Sequence, residues 1–285
     1  MKKVIIADKA GFCFGVKRAM NMAYKEIEEK DNNMQVYALG PLIHNRQAVE
    51  KYEERGLITV NEIEEIEIKE NIEMIIRSHG VAKKVYDDAK IRGIEIVDTT
   101  CPFVKKIHDI VRRSEEDKKT IILLGDKNHP EVIGINGWCK DSALIFKDLD
   151  DVLVHEFNYD EEYIVVSQTT MNEENFEKII DYLKSLDLEL DIQNTICSAT
   201  RVRQQSAREL SSKVDVMVVI GGKHSSNTQK LVNICKEKRD TVSIETRSDL
   251  YDIDFSNYET IGVTAGASTP DWIIHEAIEY LENLC

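Results

Sequence analysis

Three cysteines divide the 285-residue chain into thirds of similar length, and each third repeats the same order of predicted elements. A short apolar or alternating run precedes each of these cysteines, and a helical pattern of apolar residues follows it. A chain that repeats itself in this way folds as repeated supersecondary units, so the repeat limits the possible folds more than any other feature. The three residues are Cys13, Cys101 and Cys197.

The similarity continues beyond each cysteine. A second apolar run ends in glycine and is followed by a histidine, a later run ends in small polar residues, and a helical pattern closes each third. Strands alternating with helices of this length predict α/β domains with small parallel sheets. We therefore predict three pseudo-symmetric α/β domains, one for each cysteine, over residues 1–97, 98–193 and 194–285.

The carboxyl ends of parallel strands share one edge of a sheet, and open α/β folds bind ligands at that edge. The repeated cysteines and the polar loops all follow predicted strands, so we expect them at such edges, around one central cavity. Each cysteine lies at a strand-to-helix turn, where backbone N–H groups and the helix dipole favour a thiolate. The three other cysteines, which break the repeat, are predicted to be structural: Cys139, Cys235 and Cys285.

Three thiolates can bind zinc or an iron–sulfur cluster, and the spacing of the ligands distinguishes the two. Structural zinc takes four ligands, often in close pairs along the chain, but no C-x-x-C is present. Three ligands from three separate domains favour a larger group, and a cubane held by three thiolates leaves one iron open to a substrate. The pattern therefore favours a cluster.

The charge and hydropathy of the chain exclude several classes of function. There are 37 lysines and arginines against 52 aspartates and glutamates, a net charge of −15, so we expect no nucleic-acid partner. No apolar stretch approaches the roughly 18 residues that a membrane span requires, so we expect no membrane partner.

The first apolar run is too short for a signal peptide and is predicted to be the first strand. We therefore predict a cytoplasmic protein.

Polar residues in the same predicted loops suit an anionic ligand. Four histidines fall there: His44, His79, His129 and His224. Ser225, Ser226 and Asn227 begin one helix and Ser268 precedes another, so they can cap those helices or donate to a phosphate. Glu131 follows His129-Pro130 in the first turn of a helix, where a partly buried carboxyl beside an imidazole would suit a proton donor.

These segments together resemble one enzyme family over the whole length of the chain, the 4-hydroxy-3-methylbut-2-enyl diphosphate reductases. The resemblance lies in nine short motifs that occur in the same order: AGFCFGV (10–16), GPLIHN (40–45), RSHGV (77–81), DTTCP (98–102), HPEV (129–132), SQTT (167–170), TIC (195–197), HSSNT (224–228) and AGAS (265–268).

The resemblance implies a [4Fe–4S] cluster held by Cys13, Cys101 and Cys197. It implies reductive removal of the allylic hydroxyl of (E)-4-hydroxy-3-methylbut-2-enyl diphosphate by two electrons, giving isopentenyl and dimethylallyl diphosphate. The resemblance also assigns catalysis to three residues: Glu131 would supply protons, Thr169 would relay them, and His129 would lie beside them. The same resemblance assigns the substrate to one set of residues: His44, His79, His129, Thr169, Ser225, Ser226, Asn227 and Ser268. A ferredoxin or flavodoxin would donate the electrons, and the expected state is a monomer.

Two other interpretations of the three cysteines stay open at this point. A second triple-repeat cluster enzyme, similar to quinolinate synthase, would also take one cysteine from each domain, but it would not need the histidine, serine and asparagine set. A non-catalytic iron–sulfur sensor would need an effector or DNA-binding surface, and the acidic chain shows no basic patch that predicts one.

Overall fold

The computed structural model describes residues 2–30, 34–69 and 71–284. Within these ranges the chain alternates strands and helices almost throughout. The strands are β1 (Lys3–Ile6), β2 (Gln35–Leu39), β3 (Leu57–Val60), β4 (Ile72–Ile76), β5 (Glu95–Asp98), β6 (Thr120–Leu124), β7 (Leu144–Phe146), β8 (Glu162–Ser167), β9 (Glu189–Ile192), β10 (Val216–Ile220), β11 (Asp240–Ile244) and β12 (Thr260–Ala265).

The helices include one after each cysteine of the repeat and one that closes each third, as predicted. They are α1 (Phe14–Glu29), α2 (Arg46–Glu53), α3 (Lys83–Arg92), α4 (Pro102–Glu116), α5 (Pro130–Asn136), α6 (Leu149–Leu153), α7 (Glu173–Lys184), α8 (Ser198–Ser211), α9 (Ser226–Lys236) and α10 (Asp271–Glu282). None of these helices is both long enough and apolar enough to cross a membrane.

The strands form three parallel sheets of four strands, and all three sheets have the same order. The sheets run β3-β2-β4-β5, β7-β6-β8-β9 and β11-β10-β12-β1. In each, the strand that leads into a cysteine is the edge strand beside the last central strand. The predicted class, three pseudo-symmetric α/β modules with small parallel sheets, is confirmed.

The first strand lies in a different sheet from the one that the sequence division implied. The repeat placed residues 1–97 in one domain, but β1 pairs with β12 in parallel, with Lys3 opposite Thr260 and Ile6 opposite Val263. Strand pairing is a long-range contact that no local pattern records, so a division by sequence order cannot detect it. The division into domains at residues 97 and 193 otherwise stays a prediction.

The described residues separate into two compact units. The first unit is built from the described residues of Met1–Lys17, Ile43–Lys51 and Ser198–Cys285 and contains the sheet completed by β1. The second unit, Arg18–Leu42 with Tyr52–Cys197, contains the other two sheets.

Helices cover both faces of the sheets that contain β10 and β6, and this follows from central strands that are apolar along almost their whole length. In the first unit, Val218 of β10 points into a core made with α10, and its neighbour Val219 points into a core made with α8 and α9. In the second unit, β6 packs on α7 through Ile122 and on α4 and α5 through Leu123. Because the faces of these sheets are covered, polar side chains can gather only at the sheet edges.

The helix after Cys197 buries more polar than apolar residues. Hydropathy alone would place Val202 toward the core, but Val202 is 46% exposed and the next residue, Arg203, is 2% exposed. The buried residues of α8 are largely polar, so hydropathy could not indicate the inward face: Thr200, Arg203, Gln204, Ala207, Leu210 and Ser211.

Candidate active site

The three cysteines of the repeat occupy equivalent positions in the fold. Each follows the edge strand of its sheet and lies at or just before the first turn of a helix. Each also donates its backbone N–H to the carbonyl two residues beyond the end of the adjacent central strand. These bonds are Cys13 to Ala267 at 3.2 Å, Cys101 to Ser78 at 3.0 Å and Cys197 to Thr169 at 3.0 Å.

The repeated cysteines differ from the other two described cysteines in exposure. Cys13, Cys101 and Cys197 are half-buried, whereas Cys139 and Cys235 are fully buried. Burial raises the pKa of Cys139 to about 11 and that of Cys235 to about 12, so both remain neutral thiols and are poor ligands. This agrees with their predicted structural role; the third such cysteine, Cys285, lies outside the described residues.

Two contacts hold the backbone around Cys13. The backbone N–H of Val16, in the first turn of α1, points to the Cys13 sulfur at 3.5 Å. Arg203 holds the preceding loop, because its guanidinium donates to the Gly11 carbonyl at 2.8 Å. Sequence reasoning missed Arg203, which only a contact distant along the chain identifies.

In the second unit, Glu131 and Thr169 form a buried pair. Glu131 is 2% exposed, and its two carboxyl oxygens accept from the Thr169 backbone N–H at 2.6 Å and from the Thr169 hydroxyl at 2.8 Å. The carbonyl of Thr169 in turn accepts from the amide of Cys197. The Glu131 carboxyl is therefore hydrogen-bonded by neutral donors of Thr169, and Thr169 is in turn bonded to Cys197, a predicted cluster ligand.

His129 is the N-cap of α5, the helix that carries Glu131. Its Nδ1 accepts from the Glu131 backbone N–H at 3.1 Å, so the imidazole proton is on Nε2. His79, from the loop after β4, meets the His129 ring edge-on with the centroids 5.6 Å apart. The structure therefore brings together the predicted residues His79, His129, Glu131 and Thr169.

In the first unit, another set of predicted residues gathers at the edge of the β1-containing sheet. Ser268 donates its hydroxyl to the His44 carbonyl at 3.3 Å. The loop that carries Ser268 is tied to the end of β10, because Gly266 N–H and the Thr269 hydroxyl both donate to the Ile220 carbonyl, at 2.9 and 3.0 Å.

Ser225, Ser226 and Asn227 begin α9 just beyond that strand. Ser225 is the N-cap, as predicted, with its Oγ accepting from Thr228 N–H at 3.3 Å. Asn227 is 5% exposed, yet neither its Oδ1 nor its Nδ2 has a hydrogen-bond partner within the described residues. A buried amide without partners costs about 1–3 kcal/mol, and an anionic ligand at this helix start would satisfy its N–H groups. His224, which the sequence grouped with the other histidines, is exposed.

Comparisons with known proteins agree on one family. A sequence model described as LytB protein matches residues 4–282. The 4-hydroxy-3-methylbut-2-enyl diphosphate reductase of Clostridioides difficile strain 630 is 55% identical over 98% of this chain and 99% of its own length. The enzyme of the same name from Alkaliphilus oremlandii is 49% identical over 99% of this chain and 100% of its own length.

Solved structures give the same result. The E-1-hydroxy-2-methyl-but-2-enyl-4-diphosphate reductase of Plasmodium falciparum superposes with a TM-score of 0.91 at 28% identity, covering 99% of this chain and 88% of that one. A second structure, described as (E)-4-hydroxy-3-methyl-but-2-enyl diphosphate reductase, the terminal enzyme of the non-mevalonate pathway, has a TM-score of 0.69 at 39% identity, with full coverage of both chains.

Proposed function

The chain belongs to the LytB protein family, and on this premise we propose that it is the reductase that its relatives are named for. It converts (E)-4-hydroxy-3-methylbut-2-enyl diphosphate into isopentenyl and dimethylallyl diphosphate, the terminal reaction of the non-mevalonate pathway. The similarity extends over nearly the whole chain and favours this function over a quinolinate-synthase-like enzyme or an iron–sulfur sensor.

The observation that carries the mechanism is the buried pair of Glu131 and Thr169, the residue whose carbonyl accepts from the Cys197 amide. Replacing the allylic hydroxyl by hydrogen consumes two electrons and two protons and releases water. The leaving oxygen must be protonated, and one carbon at an end of the allylic system must also gain a proton. A shielded carboxyl in contact with a hydroxyl is suited to deliver both.

Cys13, Cys101 and Cys197 fit a [4Fe–4S] cluster, because they are equivalent, half-buried and placed at helix starts. When bound, such a cluster supplies electrons and one iron that lacks a protein ligand and can act as a Lewis acid. The remaining chemistry belongs to the side chains of this protein.

The diphosphate would be held by imidazoles, hydroxyls and an amide rather than by a lysine-rich loop. The first unit offers His44, Ser225, Ser226, Asn227 and Ser268, with the N-terminus of α9 adding backbone donors. The second unit offers His79 and His129. These donors would offset the repulsion between the anionic substrate and a chain of net charge −15.

Glu131 would move protons by way of Thr169. The hydroxyl of Thr169 is hydrogen-bonded to Glu131 Oε2. To deliver a proton, the protonated carboxyl would donate to the Thr169 oxygen while the Thr169 hydroxyl donates its own proton to the leaving oxygen of the substrate. His129 keeps Glu131 in place through its Nδ1 contact and presents Nε2–H as a donor. We further propose that the enzyme is a cytoplasmic monomer and takes its electrons from a ferredoxin or flavodoxin.

One experiment tests this function directly. The protein is reconstituted anaerobically with iron and sulfide and supplied with the allylic diphosphate and dithionite-reduced methyl viologen. We expect viologen oxidation coupled to formation of both five-carbon diphosphates. Viologen oxidation without those products, or none at all by a protein with an intact cluster spectrum, would show that the function is wrong.

A further inference from the structure

The two imidazoles of the second unit reach one another from different sheets. His79 follows β4 in one sheet, and His129 follows β6 in the other, yet their ring centroids are 5.6 Å apart. Both loops are attached to their own sheets, so the spacing of the rings depends on what joins the two loops. Two of the joining contacts lie just beyond the C-terminal end of α5.

The first joining contact is a hydrogen bond from Trp138. The indole Nε1–H donates to the Val81 carbonyl, two residues after His79, at 2.9 Å. Trp138 follows directly after α5, the helix that His129 caps. The indole therefore links the end of the His129 helix to the loop that carries His79.

The backbone beside Trp138 makes the second contact. A Cβ added to Gly137 would lie 2.2 Å from Ala82 Cβ and 2.9 Å from Ala82 Cα. Only glycine allows the two segments to approach this closely. The approach is between backbones, so it cannot be relieved by a rotamer change.

His108 supports the same junction from behind. Its ring stacks on the Trp138 indole with centroids 5.1 Å apart and an interplanar angle of 16°. A Cβ on Gly80, which has φ +71°, would lie 2.6 Å from the same imidazole. His108 thus fills the space beneath both the turn after His79 and the indole, and it is 3% exposed.

We propose that Trp138 is a positioning residue that sets the separation of His79 and His129, so that the two imidazoles act as one clamp for an anionic oxygen of the substrate. The identity of that oxygen as part of a diphosphate rests on the proposed function. Trp138 touches no reacting atom and acts through the Val81 carbonyl and the stack on His108. Residues that orient binding groups in this way commonly change affinity by about 10–100-fold when altered.

The test is Trp138→Phe, which removes the indole N–H and keeps an aromatic ring to stack on His108. We expect the KM for the allylic diphosphate and the Kd for inorganic pyrophosphate both to rise on the order of 10-fold. Because the indole acts through Val81 and His108, we expect kcat to fall less than KM rises, and the visible absorption of the cluster to stay within about twofold of the wild-type value.

The chain offers a matched control in its other tryptophan. Trp272 lies in α10 under the ammonium group of Lys51, at 3.8 Å, and has no part in the junction. Trp272→Phe should leave both constants unchanged. An unchanged pyrophosphate Kd in Trp138→Phe, or an equal rise in both variants, would overturn the proposal.

The binding measurement also separates this inference from the proposed function. If the wild-type protein does not turn over the allylic diphosphate, the function is wrong, and the pyrophosphate Kd alone still decides whether Trp138 positions the imidazoles. If turnover is normal and only the Kd comparison fails, the positioning role is wrong and the function stands.

Discussion

At the scale of single residues, buried polar groups mark the site more clearly than conspicuous charges do. Glu131 is almost fully enclosed and held at both carboxyl oxygens by one threonine. Asn227 is enclosed and lacks partners within the described residues. A buried group whose hydrogen bonds are all made is held in one orientation, whereas one that is unsatisfied is suited to receive a ligand.

Glu131→Gln should abolish most turnover and leave the cluster in place. The amide keeps the size of the carboxyl and can still accept from the Thr169 N–H, but it cannot deliver a proton. We expect kcat with reduced viologen to fall on the order of 100-fold or more, with unchanged visible absorption. Glu177→Gln, an exposed site on α7, is the matched control. Full activity in Glu131→Gln would remove this residue from the mechanism.

His108 should make the protein less stable as the pH falls. Burial lowers the pKa of His108 from 6.5 to about 4, against smaller opposing effects of Asp98 and Asp109, while Lys105 lowers it further. Between these values the unfolded chain binds a proton that the folded protein does not. The free energy of unfolding therefore falls from about pH 6.5 down to about pH 4, by up to about 3 kcal/mol from this group.

His108→Phe isolates this contribution, because phenylalanine can stack on Trp138 without titrating. Urea unfolding of the wild type and the variant is compared at pH 7 and pH 5. The wild type should lose more stability over this interval than the variant, by on the order of 2 kcal/mol. Equal losses would mean that His108 binds its proton in the folded state as readily as in the unfolded chain.

At the scale of elements, the three edge strands that lead into the cysteines have the same structural role. Each brings a cysteine beside the loop of the adjacent central strand, where its amide is bonded. For Cys101 and Cys197 that central strand precedes the edge strand in the chain. For Cys13 it comes near the end of the chain, so β1 closes the last sheet and joins the two ends of the sequence.

Ala7→Pro should loosen the last sheet selectively. The Ala7 N–H donates to the Val263 carbonyl at 2.8 Å, and proline removes that donor and leaves the carbonyl unsatisfied, at a cost of about 1–3 kcal/mol. Amide hydrogen exchange should speed up in β12 and β10, while β2 and β4 keep their protection. Faster exchange in β2 and β4 instead would place β1 in the sheet that sequence order implied.

At the scale of the whole molecule, the repeat was readable from the sequence because its signals are local. Strand periods, glycine turns and capping residues lie within a few positions of each other, so three of the four strands of each sheet and the helices after the cysteines are predicted correctly, whereas the edge strands β3, β7 and β11 are not predicted. The sheet to which β1 belongs and the inward face of α8 depend on contacts distant along the chain. For the same reason Arg203, Trp138 and His108 carry no sequence signal of their function. Arg203 and His108 resemble ordinary helix residues, and Trp138 resembles an ordinary residue of the turn after α5, until their partners are known.

The repeat also makes a prediction about the centre as a whole. If one cluster takes one thiolate from each of three equivalent turns, no ligand can be replaced without affecting the entire group. Cys13→Ser, Cys101→Ser and Cys197→Ser should therefore each lose most of the visible thiolate–iron absorption after anaerobic reconstitution. Cys139→Ser is the control, because Cys139 is fully buried and its sulfur approaches the Asn136 carbonyl and side chain and the Ile135 carbonyl. It should keep the absorption and lose only some thermal stability. An intact spectrum in any one of the three repeat variants would show that the three thiolates do not form a single centre. The cysteines would then be equivalent in the fold without all being ligands of the cluster.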